Sequence, residues 1–356
     1  MIVPNPTPLF DELYVPPRLL HRDDEIELLQ KLILETFENE LSLKALISGI
    51  PGIGKTVYSN YTSRNVKNEV KLKFSYVNTF HIAPEIILEK LSYNLKLRRK
   101  FESLNISILH KYIMKKVKHG IFIFDKINYK NVNFILNLIK NISKPGIFFL
   151  LITNYDELLK LRYFESKDDF SDVVIVLKTY TESQLLDIAK QRAYLVFPYM
   201  LDNELIEFIA DIVAEYDFSR PATVIEFLRM LYPLILMEKP VSPFTIKKIC
   251  YEIGLLETDY IFLTEKLNEL SRTMKEFILY FFSMIPFSRK AYVDEDELYL
   301  VTKEFFVLNN IPFDSNAFAS IINTLIDSGL LTKSSLHPRK YYSLFTYDDI
   351  YAILSH

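Results

Sequence analysis

Tryptophan is absent from this 356-residue chain and cysteine occurs once, as Cys250. A single thiol excludes an intramolecular disulfide. With no signal-peptide pattern at the amino terminus, the expected setting is cytoplasmic. No stretch approaches the roughly 20 apolar residues that a membrane-spanning helix needs, so no membrane partner is expected. Neither charge sign is in excess. The formal net charge is −3, so any nucleic-acid binding has to come from a local patch. The six histidines are scattered (His21, His81, His110, His119, His337, His356), with no zinc-ligand spacing. Global disorder is excluded too, because 49% of the residues are hydrophobic. Glycine is the most telling scarcity. There are seven, and Gly49, Gly52 and Gly54 fall within six residues, so that cluster has a backbone role.

What is present reads as three regions. Five prolines (Pro4, Pro6, Pro8, Pro16, Pro17) make the opening segment, residues 1–22, read as an extended arm. An amphipathic run follows over Glu25–Glu38. Then five short apolar runs alternate with helical patterns: Leu43–Ser48, Lys73–Asn78, Gly120–Asp125, Gly146–Asn154 and Asp172–Leu177. Such runs separated by helices imply a parallel sheet covered on both faces. After Lys178 the pattern is helical only. From Leu263 a further unit reads as helices over Glu265–Phe287, Asp294–Asn309 and Asp314–Ser328, stopped by Gly329. Two short strands flanking the turn SSLHPRK complete a winged-helix pattern. The expected boundaries are 1–178, 179–260 and 261–356.

Gly49-Ile-Pro51-Gly52-Ile53-Gly54-Lys55-Thr56 fits the phosphate-binding loop pattern between an apolar strand and a helix. Its glycines let backbone N–H groups converge on phosphate oxygens, Lys55 suits the β- and γ-phosphates, and Thr56 suits Mg²⁺. A second Mg²⁺ acid is expected at the end of a neighbouring strand, where IFIFD supplies Asp125. The next residue is Lys126, which cannot serve as a carboxylate base. Asn154 ends the fourth apolar run, either as a water- or phosphate-orienting amide or as a turn residue. Arg220 opens a helical run, and its rigid donor fork suits phosphate.

Together these motifs resemble the archaeal origin-recognition and replication-licensing initiators, the Orc/Cdc-type AAA+ ATPases. Tyr14-Val-Pro-Pro-Arg18-Leu-Leu-His21-Arg22-Asp-Asp-Glu25-Ile26 resembles their N-terminal segment. The phosphate loop, KFSYVN, IFIFD and LLITN follow in the same order. Tyr180-Thr-Glu-Ser-Gln-Leu-Leu-Asp-Ile188-Ala-Lys-Gln-Arg192-Ala resembles the lid entry, and Asp217-Phe-Ser-Arg220-Pro-Ala222 the second sensor. The resemblance implies an α/β AAA+ P-loop domain with parallel sheet, an all-helical lid and a C-terminal winged helix. It implies ATP or ADP with Mg²⁺, held by Gly49, Pro51, Gly52, Ile53, Gly54, Lys55, Thr56 and Val57. Val15, Arg18, Tyr180, Ile188 and Arg192 would line the same site. Asn154 and Arg220 would act as sensors, Arg162 as an arginine finger, and Thr56 with Asp125 as the metal side chains. Implied partners are double-stranded origin DNA, the replicative helicase and related AAA+ initiators, in association with the nucleoid. The chain departs from the pattern at Lys126, and at Asp217 where glycine is usual.

DNA would be met by Ser315 and Asn316 on the recognition-type helix and by Lys333, Arg339 and Lys340 on the hairpin. The helix itself carries no lysine or arginine, and from Glu265 onward nine basic residues face twelve acidic ones. That balance favours an alternative: a regulatory or scaffold ATPase whose winged helix meets protein or promoter DNA. A second basic run, Lys96 with Arg98, Arg99 and Lys100, reads as a solvated helix face. Because Lys126 stands where a base is needed, ATP turnover is expected to be slow or absent. Lys126→Glu is expected to raise it by about 10²-fold. A Lys126→Glu turnover rate equal to wild type would show that the missing base is not the cause.

Overall fold

The structure, a computed structural model, describes residues 4–96, 106–164, 170–255 and 257–354. The chain divides into two compact units: Asp11–Thr179, and Met1–Phe10 together with Tyr180–His356. A four-residue helix α1 (Thr7–Phe10) lies in the opening arm.

In the Asp11–Thr179 unit the elements run α2 (Asp23–Glu38), β1 (Ser42–Ser48), α3 (Lys55–Glu69), β2 (Lys73–Asn78), α4 (Pro84–Asn94), α5 (Ile106–Lys116), β3 (Gly120–Asp125), α6 (Val132–Ile142), β4 (Ile147–Ile152), α7 (Tyr155–Phe164) and β5 (Val173–Val176). All five expected strands are present. They form one parallel sheet in the order β2-β3-β4-β1-β5. β3 and β4 are buried at every position, which is why their sequences are apolar without alternation. Ile26, Leu29, Ile33 and Phe37 recur at helical spacing on the buried face of α2, whose first turn carries Asp23, Asp24 and Glu25. Arg22 fixes where α2 begins. It is buried, and donates to Glu25 Oε1 (2.8 Å) and to the carbonyl of Lys178 just beyond β5 (2.6 Å).

In the other unit α8 (Glu182–Val196), α9 (Asn203–Tyr216), α10 (Pro221–Leu236) and α11 (Pro243–Glu252) share one core. The arm departs from the extended reading. Leu9 is buried in that core, and Arg192 and Arg229 donate to the carbonyls of Pro8 (2.6 Å) and Leu9 (2.7 Å). A second core holds α12 (Glu257–Glu269), α13 (Arg272–Met284), β6 (Val293–Asp294), α14 (Glu295–Leu308), α15 (Ser315–Asp327), β7 (Thr332–Lys333), β8 (Lys340–Tyr342) and α16 (Tyr347–Leu354). Here the expectation of one helix over Glu265–Phe287 is corrected. The run breaks after Glu269 because Ser271 Oγ accepts the backbone N–H of Met274 and starts α13 as a new helix. The three short strands pair antiparallel in the order β6-β8-β7.

Two buried polar residues tie this unit together. Asp211 on α9 is 2% exposed, and its carboxylate accepts from five groups. They are the Tyr292 hydroxyl (2.8 Å), the Ser335 N–H (3.0 Å) and Oγ (2.7 Å), the Leu336 N–H (3.3 Å) and the Ser334 hydroxyl. Burying a carboxylate is costly unless its lone pairs are satisfied, and here the β7–β8 turn satisfies them. Lys247 on α11 is buried as well. Its ammonium donates to the Phe287 carbonyl and lies near the Phe208 and Phe287 rings.

Desolvation pushes Lys247 down to about 7, opposed by Cys250 and Asp349. Between that value and the ordinary lysine range the unfolded chain holds a proton the native chain has lost. Native stability from this group therefore rises with pH across that window. Melting curves of wild type and Lys247→Met between pH 6.5 and 9 are expected to converge toward, or cross in favour of, the wild type as pH rises. A pH-independent difference would contradict the assignment.

Candidate nucleotide site

The site is built where the sheet ends. β1 leads into Gly49–Gly54, and α3 begins at Lys55. At two glycines a side chain would be strained. A Cβ on Gly49 would stand 3.0 Å from the Leu177 carbonyl oxygen, and Gly54 is left-handed (φ 98°) as the N-cap of α3. The amino end of α3 therefore faces the loop it closes, an arrangement suited to an anion. Ile53 is fully buried and anchors the loop.

Lys55 is largely buried. Its Nζ donates to the carbonyls of Gly49 (2.9 Å) and Ile50 (2.8 Å), two of the three donors an ammonium carries. Desolvation lowers its pKa to about 8, against the opposing field of Asp125. Asp125 ends β3 and is 1% exposed. Its Oδ2 accepts from Thr56 Oγ1 (2.7 Å) and from the Tyr76 hydroxyl (2.7 Å), and its Oδ1 accepts from the Lys126 backbone N–H (2.7 Å). Its backbone carbonyl accepts the N–H and hydroxyl of Thr79, both at 2.8 Å. Thr56 and Asp125, 69 residues apart, are thus in direct contact.

The other residues singled out in the sequence fall as follows. Asn154 is exposed just past β4, beside the loop, where the Tyr155 N–H donates to the Gly49 carbonyl (3.2 Å). Lys126 is exposed and left-handed (φ 60°), with Nζ 5.7 Å from the Phe80 ring. Val15 is half-buried, and Arg18 is exposed near Asp23 (3.8 Å). Arg162 is on α7, with its side chain outside the described residues, as are Arg98, Arg99 and Lys100.

Tyr180, Ile188, Arg192 and Arg220 belong to the other unit. Tyr180 is buried and Arg192 holds the arm at Pro8. Arg220 pairs with Asp217, whose other carboxylate oxygen accepts the Thr223 hydroxyl. Phe218 and Ser219 are both left-handed, and this tight turn brings Arg220 back onto Asp217. Ser315 and Asn316 are exposed in the first turn of α15. On the hairpin Lys333 is exposed. Arg339 lies near Glu295 (3.5 Å) and Asp296 (3.6 Å), and Lys340 Nζ is 5.6 Å from the Tyr292 ring.

No protein-family model matches the chain. It is 27% identical over 201 residues to the ORC1-type DNA replication protein of Desulfurococcus amylolyticus, covering 52% of this chain and 51% of that protein. It is 26% identical over 240 residues to the ORC1-type DNA replication protein 1 of Sulfurisphaera tokodaii, covering 61% and 58%. The match thus spans a little over half the length of these relatives. Among solved structures, Cdc6p of Pyrobaculum aerophilum superposes with a TM-score of 0.79 at 19% identity, over 100% of this chain and 98% of that one. The fold is that of the Cdc6 and ORC1 proteins. The ORC1 protein of Aeropyrum pernix in complex with DNA gives a TM-score of 0.60 at 19% identity, over 98% and 95%. The parallel sheet and its helices are accordingly the α/β core of an AAA+ fold.

Within this Cdc6/ORC1-type fold, two residues near the loop escaped the sequence reading. Tyr76 lies inside KFSYVN, but its contact with Asp125 depends on the β2–β3 pairing, in which Asn78 is opposite Asp125. Burial and the neighbouring carboxylate push the Tyr76 phenol well above its ordinary range, so it stays a donor. Arg22 had a signal, its place in the N-terminal segment. Its partners, however, include a carbonyl 156 residues away.

Proposed function

We propose that this chain is a replication-initiator-type protein that binds ATP or ADP with Mg²⁺ and binds double-stranded DNA. The observation that carries the nucleotide reading is the Thr56–Asp125 hydrogen bond on a phosphate loop. The donor set fits the group. Gly52, Gly54 and the first turn of α3 supply backbone N–H groups for phosphates, Lys55 supplies a cation, and Thr56 and Asp125 supply oxygens for a hard divalent ion. Mg²⁺ would neutralise phosphate charge there. Lys55 would exchange a loop carbonyl for a phosphate oxygen. Asn154 would orient groups at the γ-phosphate. Hydrolysis would be slow, since Lys126 offers no carboxylate to activate water.

The carboxyl-terminal helices and hairpin, α13 to β8, read as a winged helix. Support for DNA comes from the relatives' names and from the Aeropyrum ORC1 protein seen with DNA. Ser315 and Asn316 would face base edges, while Lys333, Arg339 and Lys340 would meet phosphates. A replicative helicase or a related AAA+ initiator is a further proposed partner, and nucleoid association follows if DNA is the ligand. No helix among the described residues is long and apolar enough to cross a membrane. A second reading, a regulatory or scaffold ATPase whose winged helix meets protein or promoter DNA, is favoured by the acidic balance from Glu265 onward and by one structural feature. Arg339 is engaged by two acids on the same unit.

Duplex binding and protein binding by the winged helix separate in a duplex-binding titration with ATP present and salt varied. Under the first, binding weakens as salt rises. Arg339→Ala with Lys340→Ala lowers the logarithmic salt slope by about 2, one for each lost phosphate contact. No duplex binding at low salt, or a double variant indistinguishable from wild type, would move the protein-binding reading to first place.

A further inference from the structure

The Asp125 carboxylate is shared among more donors than the sequence pattern requires. Thr56 and Lys126 belong to the phosphate loop and to the turn after β3. The third donor, Tyr76, comes from the neighbouring strand. A carboxylate has about four acceptor positions. Two on Oδ2 are taken by the hydroxyls of Thr56 and Tyr76, and one on Oδ1 by the Lys126 N–H. The remaining capacity therefore lies on Oδ1.

We propose that Tyr76 is a positioning residue for the divalent cation of the bound nucleotide: its hydroxyl pins Asp125 Oδ2 so that Oδ1 is the oxygen offered to the cation's shell. The inference rests on the nucleotide reading above. Tyr76 is well placed for such a role because its own backbone is held. Asn94, the last residue of α4, donates to the Tyr76 carbonyl (2.8 Å) and to Ser75 Oγ (3.1 Å), and β2 pairs with β3 through Tyr76 opposite Ile123. A partner that orients a metal-binding carboxylate governs cation affinity without touching the nucleotide. Thr56 alone could pivot with its carboxylate. A second donor from a different strand stops that rotation.

Tyr76→Phe keeps the ring and removes only the hydroxyl. The measurement is the affinity for a fluorescent ATP analogue as a function of free Mg²⁺, with an EDTA arm and a melting curve of the nucleotide-free protein. Tyr76→Phe is expected to need about tenfold more free Mg²⁺ for half-maximal tightening. Its affinity in EDTA should stay unchanged, and Asp125→Asn should lose the Mg²⁺ response. A Tyr76→Phe titration superimposable on wild type would overturn the inference. So would a variant that loses affinity equally with and without Mg²⁺, since that is a structural effect alone. A wild-type protein that binds no nucleotide with or without Mg²⁺ overturns the nucleotide reading itself, and this inference with it.

Discussion

The chemistry of the Asp11–Thr179 unit depends on one constraint, the place of β1 between β4 and β5. Ala45, Leu46 and Ile47 are paired on both sides and fully buried, and all three are apolar. On β1, β3 and β4 the candidate groups lie where the strand ends. Gly49 follows β1, Asn154 follows β4, and Asp125 ends β3 one strand further on. Because the pairing is parallel, all three emerge at the same edge, the carboxyl edge where open α/β sheets hold their ligands. The Thr56–Asp125 contact is a consequence of that register.

The second unit solves a different problem. Its helices and its hairpin carry charged residues into the interior, and two of them show how such groups are held. Asp211 is satisfied by the hairpin turn and Tyr292, and Lys247 by the Phe287 carbonyl. The hairpin turn therefore has one face committed to α9. The cations beside it are constrained as well, Lys340 by the Tyr292 ring and Arg339 by Glu295 and Asp296. A duplex that met this hairpin would compete with those acids, which makes ionic strength a sensitive probe of the surface. Asp217 likewise holds Arg220.

The parallel sheet was legible because its strands are continuous apolar runs bounded by turn residues, and the Gly49–Gly54 loop between β1 and α3 because glycine is otherwise so scarce. Lys126 was legible as a departure, since the residue after the strand-end acid is fixed by the motif. The opening arm was not. Proline density says where a helix is disfavoured, yet burying Leu9 and bonding two carbonyls to Arg192 and Arg229 is a tertiary effect. The break at Ser271 was missed because apolar periodicity runs through it, and only the cap separates α12 from α13. Tyr76 and Asp211 could not be found from spacing. Their partners lie 49 and up to 125 residues away, and register alone brings them together.

The central claim is that Lys55, Thr56 and Asp125 form a nucleotide site. The direct measurement is the melting temperature of wild type and of Lys55→Ala with and without Mg²⁺ and ATP. A ligand that binds only the native state at about 100 times its dissociation constant adds about 2.7 kcal/mol of stability. A clear rise is expected for wild type, and its loss in Lys55→Ala. No rise in wild type, or an equal rise in both proteins, would contradict it.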